Sequence, residues 1–245
     1  MLVSTDLQDG VVIVRMQDAA GKNAFSEAFL SEYRSTLSEV QNNPDARVVL
    51  LCGLPDIFCS GAPRELLREL VDKKLRPADL ILPREMLSMR LPCIAAMQGH
   101  ATGGGLALGL CADVVVFARQ SRYGANFMNM GFTPGMGMTC LLEHVLPPAL
   151  AHEMLYTGAY YRGSFFEPHC GAGRVVDNEK VEAVAMDLAG QIAEKPRKAL
   201  ELLKVSLSAP RLRRYEEAFK QESRMHDICF QDEEIRRRIE ENYVE

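Results

Sequence analysis

The sequence predicts an α/β fold in which strands and helices alternate along most of the chain before a helical C-terminal region. Short apolar runs are each followed by a stretch with helical periodicity, which is typical of this class. Glycine-rich turns join strand to helix at two places. The 245 residues are 47% hydrophobic and 25% charged, which is the balance of an ordinary globular protein.

The elements of the N-terminal part follow from their patterns. "VVIVRMQD" at 11–18 predicts a strand, and 24–43 predicts a helix with Ser26 as its N-cap and a stop at Asn43-Pro44. Strands buried on both faces are predicted from continuous apolar runs at 47–53, 93–99 and 113–118.

After about residue 136 the pattern becomes helical, and only "GRVVD" at 173–177 is extended. Helices are predicted at 138–146, 149–158, 180–194, 196–207 and 213–230. The charged segment 231–245 predicts an amphipathic terminal helix, either solvated or in contact with another subunit. We therefore predict an α/β core over 1–195 and a helical region over 196–245, joined at Lys195-Pro196-Arg197.

Composition excludes several classes of function. The net charge of −5 argues against a nucleic-acid partner, because phosphate binding needs a basic surface. No apolar run approaches the ~20 residues of a membrane span, and the N-terminus lacks the pattern of a secretory signal. The seven cysteines have no CxxC spacing, which predicts buried thiols in a reducing cytoplasm rather than disulfides or zinc. No metal or redox cofactor is indicated.

Two stretches, "FCSGAPREL" and "GHATGGGLALG", each follow a predicted strand and run through small residues into a helix. Peptide N–H groups at a helix start have no intrahelical partner, and the helix dipole favours negative charge there. Two such ends on adjacent strands can direct two amides at one oxygen, forming an oxyanion hole. The alternative is that both are only tight turns, but their joint occurrence favours the hole.

Four motifs in this order resemble those of the crotonase (enoyl-CoA hydratase/isomerase) superfamily: "KNAFS", "FCSGA", "GHATGGGLALGLCADVVVFA" and "MGFTPGMGMTCLL". The resemblance implies a spiral of ββα units, a C-terminal helical region and a homotrimer or dimer of trimers. It implies that the N–H groups of Ala62 and Gly104 hold a thioester oxygen. The acyl group would be carried on CoA or on the phosphopantetheine of an acyl carrier protein.

The catalytic carboxylates of a crotonase hydratase are missing. Counted along the motifs, their two positions are occupied here by Ala107 and Phe127, neither of which can move a proton. Hydration needs a positioned acid and base, so the sequence disfavours a hydratase. It also weakens the case for a double-bond isomerase, which typically uses a carboxylate near the second position. Decarboxylation remains, because loss of carbon dioxide itself generates the carbanion.

A narrower resemblance, carried by "VRMQDAAGKNAFS", "IAAMQGHATGGG", "YGANFMNMGFTPGMGMT", "AEKPRKAL" and "RMHDICF", is to the decarboxylating crotonases of polyketide β-branching. It implies conversion of a 3-methylglutaconyl thioester on an acyl carrier protein to 3-methylcrotonyl through a dienolate. The alternatives are a hydratase or isomerase with non-standard residues, and an inert crotonase-fold interaction subunit.

The resemblance also implies individual site residues. His226 is expected to protonate the dienolate or bind the departing carboxylate; the alternative is an ordinary helical histidine. A lysine after the Ala62 turn is expected to pair with the substrate carboxylate. Lys74 is chosen for that role, with Lys73 and Arg76 as competitors and a solvated charge run as the alternative.

The remaining candidates would contact the substrate's apolar parts. Asn23, Ala24 and Phe25 are expected along the pantetheine arm. A dry wall around the acyl chain is expected from Phe127, Met128 and Met130. Asn126 and Asn129 are polar candidates with no assigned role.

Overall fold

A computed structural model describes residues 1–75, 82–169 and 173–242. Its strands are β1 (Val3–Gln8), β2 (Val11–Met16), β3 (Val48–Cys52), β4 (Ile57–Cys59), β5 (Cys93–Met97), β6 (His100–Thr102), β7 (Val114–Ala118), β8 (Arg122–Gly124), β9 (Tyr160–Arg162) and β10 (Gly173–Val176). Its helices are α1 (Glu27–Asn42), α2 (Arg64–Val71), α3 (Leu82–Leu87), α4 (Gly104–Leu110), α5 (Met138–Val145), α6 (Pro148–Thr157), α7 (Gly163–Phe166), α8 (Val181–Ala193), α9 (Arg197–Cys229) and α10 (Glu233–Asn242). Short 3-10 helices span Asn126–Met130 and Asn178–Lys180.

The strands form two sheets. The larger has the order β1-β2-β3-β5-β7-β10, in which β1 and β2 pair antiparallel and the others parallel. The smaller has the order β4-β6-β8-β9, with β9 antiparallel at its edge. Each turn of the chain adds one strand to the larger sheet, one to the smaller and then a helix, as in β3-β4-α2 and β5-β6-α4. This spiral of ββα units confirms the predicted fold class.

Successive side chains of a strand point to opposite faces of the sheet, so the larger sheet separates two hydrophobic cores. Val11 and Ile13 of β2 face α8, whereas Val12 and Val14 face the main core beneath the smaller sheet. The predicted runs at 47–53, 93–99 and 113–118 form β3, β5 and β7, whose central residues are buried on both faces. Ser26 caps α1, its hydroxyl accepting a hydrogen bond from the Phe29 N–H.

The sequence pattern differs from the structure in the helical region. Two helices were predicted between 196 and 230, but α9 runs continuously through Pro210. Proline cannot donate to the carbonyl one turn earlier, yet the helix is sustained because Lys204, Tyr215, Glu222 and His226 are all buried against the core.

Helix α9 is attached firmly to the α/β region. The Lys204 Nζ lies 2.7 and 2.8 Å from the two carboxylate oxygens of Asp113, which also accepts a hydrogen bond from the Cys93 N–H. Lys204 is 3% exposed, whereas the Asp113 side chain is 23% exposed, so the pair lies partly buried between α9 and the larger sheet. The division into 1–195 and 196–245 stays a prediction. Over the described residues, none of the helices has the length and apolar character to cross a membrane.

Candidate active site

A cavity of about 550 Å³ opens where the smaller sheet ends. It is lined by the turn after β4, the turn after β6, the 3-10 helix Asn126–Met130, the loop before α5 and one face of α9. The parallel strands β4 and β6 are neighbours, so their carboxyl ends place both turns at the same edge.

The turn after β4 contacts the turn after β6 through Gly61. Gly61 has a φ of 80°, and a Cβ there would lie 2.8 Å from the Thr102 carbonyl oxygen and 3.0 Å from the Gly104 nitrogen. Only glycine permits this approach. The Gly61 carbonyl accepts a hydrogen bond from the Phe25 N–H at 2.8 Å. Ala62, the next residue, lines the cavity.

The turn after β6 is held from two sides. The Gly103 N–H donates to the Gly124 carbonyl on β8 at 2.8 Å, and Gly105 lies against the Cys59 carbonyl on β4. Gly104 is the first residue of α4, so no residue of that helix can accept its N–H. The structure thus brings Ala62 and Gly104 to one cavity, as predicted; their joint action on an oxygen stays a prediction.

The far side of the cavity is apolar. Phe127 and Met130 line it and are 6% and 9% exposed, together with Phe132 and Met136. The expectation for Met128 is wrong: this side chain is 39% exposed and does not line the cavity, because the 3-10 helix turns it outward. Ala107, at the other hydratase position, is fully buried behind the cavity.

His226 on α9 lines the cavity and is 6% exposed. Its Nε2 lies 2.8 Å from the Thr133 carbonyl oxygen, which can only accept, so Nε2 carries the proton. Its Nδ1 is buried with no hydrogen-bond partner among the described residues. Gly135 packs against the imidazole, where a Cβ would lie 2.6 Å from Cε1.

Burial lowers the pKa of His226 below its usual 6.5, and hydrogen bonding to the Thr133 carbonyl opposes this only in part. The imidazole is therefore neutral near pH 7. The aromatic rings of Phe132 and Phe230, which pack against the imidazole, contribute to this burial.

Glu222 is a cavity residue that the sequence reasoning missed. It is 1% exposed, and it accepts hydrogen bonds from the Gly137 N–H at 2.6 Å, the Thr139 N–H at 2.9 Å and the Thr139 hydroxyl at 2.7 Å. Burial raises its pKa, and these three donors oppose the rise. A glutamate four residues before the candidate histidine on a helix was the available signal, because that spacing places both on one face.

The three residues expected along the pantetheine arm have different places. Ala24 lines the cavity. Asn23 does not: it is fully buried, its amide donates to the Met16 and Phe58 carbonyls, and its Oδ1 accepts from the Asp18 N–H. Phe25 is also buried, and its ring packs behind Gly104. Asn23 and Phe25 therefore support the site from within the core, which corrects their expected contact with substrate.

The expected lysine is not at the cavity. The Lys74 side chain is 71% exposed and its Nζ lies 3.3 Å from the Asp72 carboxylate, outside the cavity lining. Arg76 lies outside the described residues. Among the described lining residues, Lys22 and Arg64 supply the lysine and arginine side chains. Arg64 is the first residue of α2, two positions after Ala62.

Known proteins resemble this chain over its whole length. The enoyl-CoA hydratase/isomerase family model matches residues 6–245. The bacillaene synthase decarboxylase PksI of Bacillus subtilis (strain 168) is 37% identical over 238 residues, 97% of this chain and 96% of the relative. The solved ECH2 decarboxylase domain of CurF from Lyngbya majuscula has a TM-score of 0.92 at 38% identity, covering 99% of each chain. A structure from a dehydratase/decarboxylase enzyme couple involved in polyketide β-branching has a TM-score of 0.96 at 36% identity, covering 100% of each chain.

Proposed function

The chain belongs to the enoyl-CoA hydratase/isomerase family. Because Ala107 and Phe127 occupy the positions of the two hydratase glutamates, we propose that its cavity promotes decarboxylation. The chain is a decarboxylase of polyketide β-branching, similar to the decarboxylases matched above. The observation that carries this assignment is the cavity itself. Two glycine-supported turns line one side, while the hydratase positions hold Ala107 and Phe127.

The proposed substrate is a 3-methylglutaconyl thioester, and the product is a 3-methylcrotonyl thioester. The bond between the γ-carbon and the carboxylate breaks, and its electron pair moves through the double bond to the thioester oxygen. Carbon dioxide leaves, and a dienolate remains. Protonation of the γ-carbon gives the α,β-unsaturated product, whereas protonation of the α-carbon gives the β,γ isomer.

In this proposal, the N–H groups of Ala62 and Gly104 bind the thioester oxygen as negative charge develops on it. Backbone donors fixed before the reaction need no reorganisation during it, which makes them effective stabilisers of developing negative charge. The contact between Gly61 and the Gly104 nitrogen supports this role, since it holds the two turns together. The apolar wall around Phe127 and Met130 disfavours the carboxylate relative to neutral carbon dioxide.

His226 is the proposed proton donor. Burial favours its neutral imidazole, but an anionic substrate beside it favours the protonated form. Nδ1 takes up that proton, because Nε2 already donates to Thr133. Transfer from Nδ1 to the dienolate carbon gives a neutral product and returns the imidazole to its neutral form.

Arg64 is the proposed partner of the substrate carboxylate, in place of Lys74. It lines the cavity at the start of α2, on the same turn as Ala62. A guanidinium binds a carboxylate through two parallel hydrogen bonds and stays charged at neutral pH. It therefore orients the leaving group and does not serve as the proton donor.

The acyl group is proposed to arrive on the phosphopantetheine of an acyl carrier protein. Ala24 and Lys22 line the cavity and offer a path for the arm. Lys74 and Arg84 are exposed cations, 71% and 60%, that pair with Asp72 and Glu216; an acidic carrier would compete with these carboxylates for them. Carrier-bound substrate is expected to react faster than the CoA thioester; equal rates would argue against docking.

We also propose that the chain assembles as a homotrimer, alone or as a dimer of trimers, in the cytoplasm. Apolar side chains on α9 are 56–62% exposed, namely Leu202, Leu203, Val205 and Leu207. The described cysteines are free thiols, as expected in a reducing compartment. Light scattering of the purified protein measures the assembly.

One incubation tests the reaction. Carrier-bound 3-methylglutaconyl thioester is incubated with the protein, and the acylated carrier is weighed intact. We expect a loss of about 44 mass units, the mass of carbon dioxide. A gain of about 18 would indicate hydration instead, and an unchanged mass would indicate an inert fold.

A further inference from the structure

The loop that joins the 3-10 helix to α5 is held by α9 at three points. Residues 131–137 are called here the roof loop, because they cover the cavity between Gly104 and His226. The ring of Tyr215 packs against Gly137, Glu222 binds the Gly137 N–H, and His226 donates to the Thr133 carbonyl. The spacings of seven and four residues place all three side chains on one face of α9.

Neighbouring residues of the roof loop contact the two halves of the site. Gly135 packs against the imidazole of His226. Met136 packs against Gly104, where a Cβ would lie 2.7 Å from the methionine sulfur. Because residues 135 and 136 are joined by one peptide bond, the loop sets the separation between His226 and the Gly104 amide.

The roof loop is not in a relaxed conformation. Met136 has a φ of 60°, a region that side chains other than glycine rarely adopt. Such a conformation persists only where the surroundings determine it. The strongest fixed contacts next to Met136 are those of Glu222, whose two oxygens accept hydrogen bonds from Gly137 and Thr139.

We propose that Glu222 is a positioning residue: it fixes the roof loop so that His226 and the Gly104 amide stand at the separation that selects which dienolate carbon is protonated. Glu222 acts through the loop and not on the substrate. The choice of which dienolate carbon is protonated rests on the function proposed above, whereas the fixing of Met136 by Glu222 does not.

The test compares two Glu→Gln variants on the same helix. In Glu222→Gln, the amide group replaces one acceptor with a donor, which then faces the N–H of Gly137 or the donors of Thr139. Glu217→Gln is the matched control, because Glu217 is exposed on α9. Methyl-¹³C methionine labelling gives a resonance at Met136, assigned through Met136→Leu. Product isomers are separated and counted by chromatography.

We expect Glu222→Gln to shift the Met136 methyl resonance, to change the ratio of α,β to β,γ product, and to lower kcat by about 10- to 100-fold. Glu217→Gln should match the wild type in all three. An unshifted Met136 resonance with an unchanged isomer ratio in folded Glu222→Gln would overturn the proposal. If Glu222 had a purely structural role, Glu222→Gln would lower the free energy of unfolding without changing the ratio of α,β to β,γ product.

Two further outcomes keep the test decisive. If Glu222→Gln does not fold, Thr139→Val removes one of the three hydrogen bonds at nearly constant shape and should shift the same resonance by a smaller amount; no shift there overturns the proposal. If the wild type releases no carbon dioxide, the proposed function fails, and the Met136 resonance alone decides whether Glu222 holds the loop.

Discussion

The cavity has two walls of different construction. One is main chain: the turns at Gly61-Ala62 and Gly103-Gly104, placed by the paired strands β4 and β6. The other is side chain: Glu222 and His226, presented by α9. Backbone amides do not titrate near neutral pH, whereas an imidazole does. In the proposed mechanism, stabilisation of the anion and delivery of the proton are therefore separable, and substitutions in each wall should have distinguishable effects.

The largest expected effect is at the side-chain wall. His226→Ala should lower kcat by about 10²–10⁴, the usual contribution of a positioned acid. It should also lower the melting temperature, because the imidazole is buried and donates to the Thr133 carbonyl. His226→Gln is the control, because its amide can still donate to Thr133 but cannot transfer a proton. Steady-state kinetics with the carrier-bound substrate measures both. Full activity in the Gln variant would reduce His226 to a structural role.

At the main-chain wall, Gly104→Pro should lower kcat by about 10²–10³ through loss of one N–H donor. Proline is tolerated at the first position of a helix, so α4 should still form. Gly104→Ala keeps the N–H and adds only the Cβ that crowds Met136 and Phe25. Equal losses in both variants would assign the effect to crowding and would contradict the oxyanion role.

A smaller effect is expected from removing the proposed carboxylate contact at the edge of the main-chain wall. Arg64→Gln is expected to raise KM by about tenfold, because a charge-assisted hydrogen bond to the substrate is lost. Lys74→Gln serves as the comparison, since Lys74 lies outside the cavity. A larger rise in KM for Lys74→Gln would return the carboxylate contact to that lysine.

The smallest effect is expected from a change of pH. The pKa of free His226 is lowered by burial, and the donor must be protonated, so kcat/KM should fall as pH rises through that lowered pKa. The fall is at most about tenfold per pH unit. The limb for kcat should lie at higher pH, because bound anion stabilises the imidazolium. In His226→Gln both limbs should disappear, and a persisting limb would point to another acid.

Much of this arrangement could be predicted from the sequence, because local patterns determine it. The apolar runs gave β3, β5 and β7, and Ser26 marked the start of α1. The two glycine-rich turns were placed correctly because glycine is required where Gly61 approaches Gly104. Strands β4, β6 and β8 were missed, since three residues carry too little periodicity to be detected.

Side-chain positions that depend on contacts with residues far away in the sequence could not be predicted in the same way. Glu222 accepts hydrogen bonds from residues 83 and 85 positions away, and its spacing of four residues from His226 is the one local feature that separates it from the exposed Glu217. Lys74 was chosen by position in a charged segment, but its distance from the cavity depends on where α2 ends. Asn23 was expected to face the substrate, and its burial depends on carbonyls from β2 and β4.

The contact between Gly61 and the Gly104 nitrogen has a consequence for folding. The two proposed amide donors belong to consecutive turns of the spiral, and the turns come together only when β4 and β6 have paired. A chain that has built the larger sheet alone therefore lacks the proposed anion site. During refolding, recovered turnover should therefore lag behind far-ultraviolet circular dichroism, with the lag reporting closure of the smaller sheet.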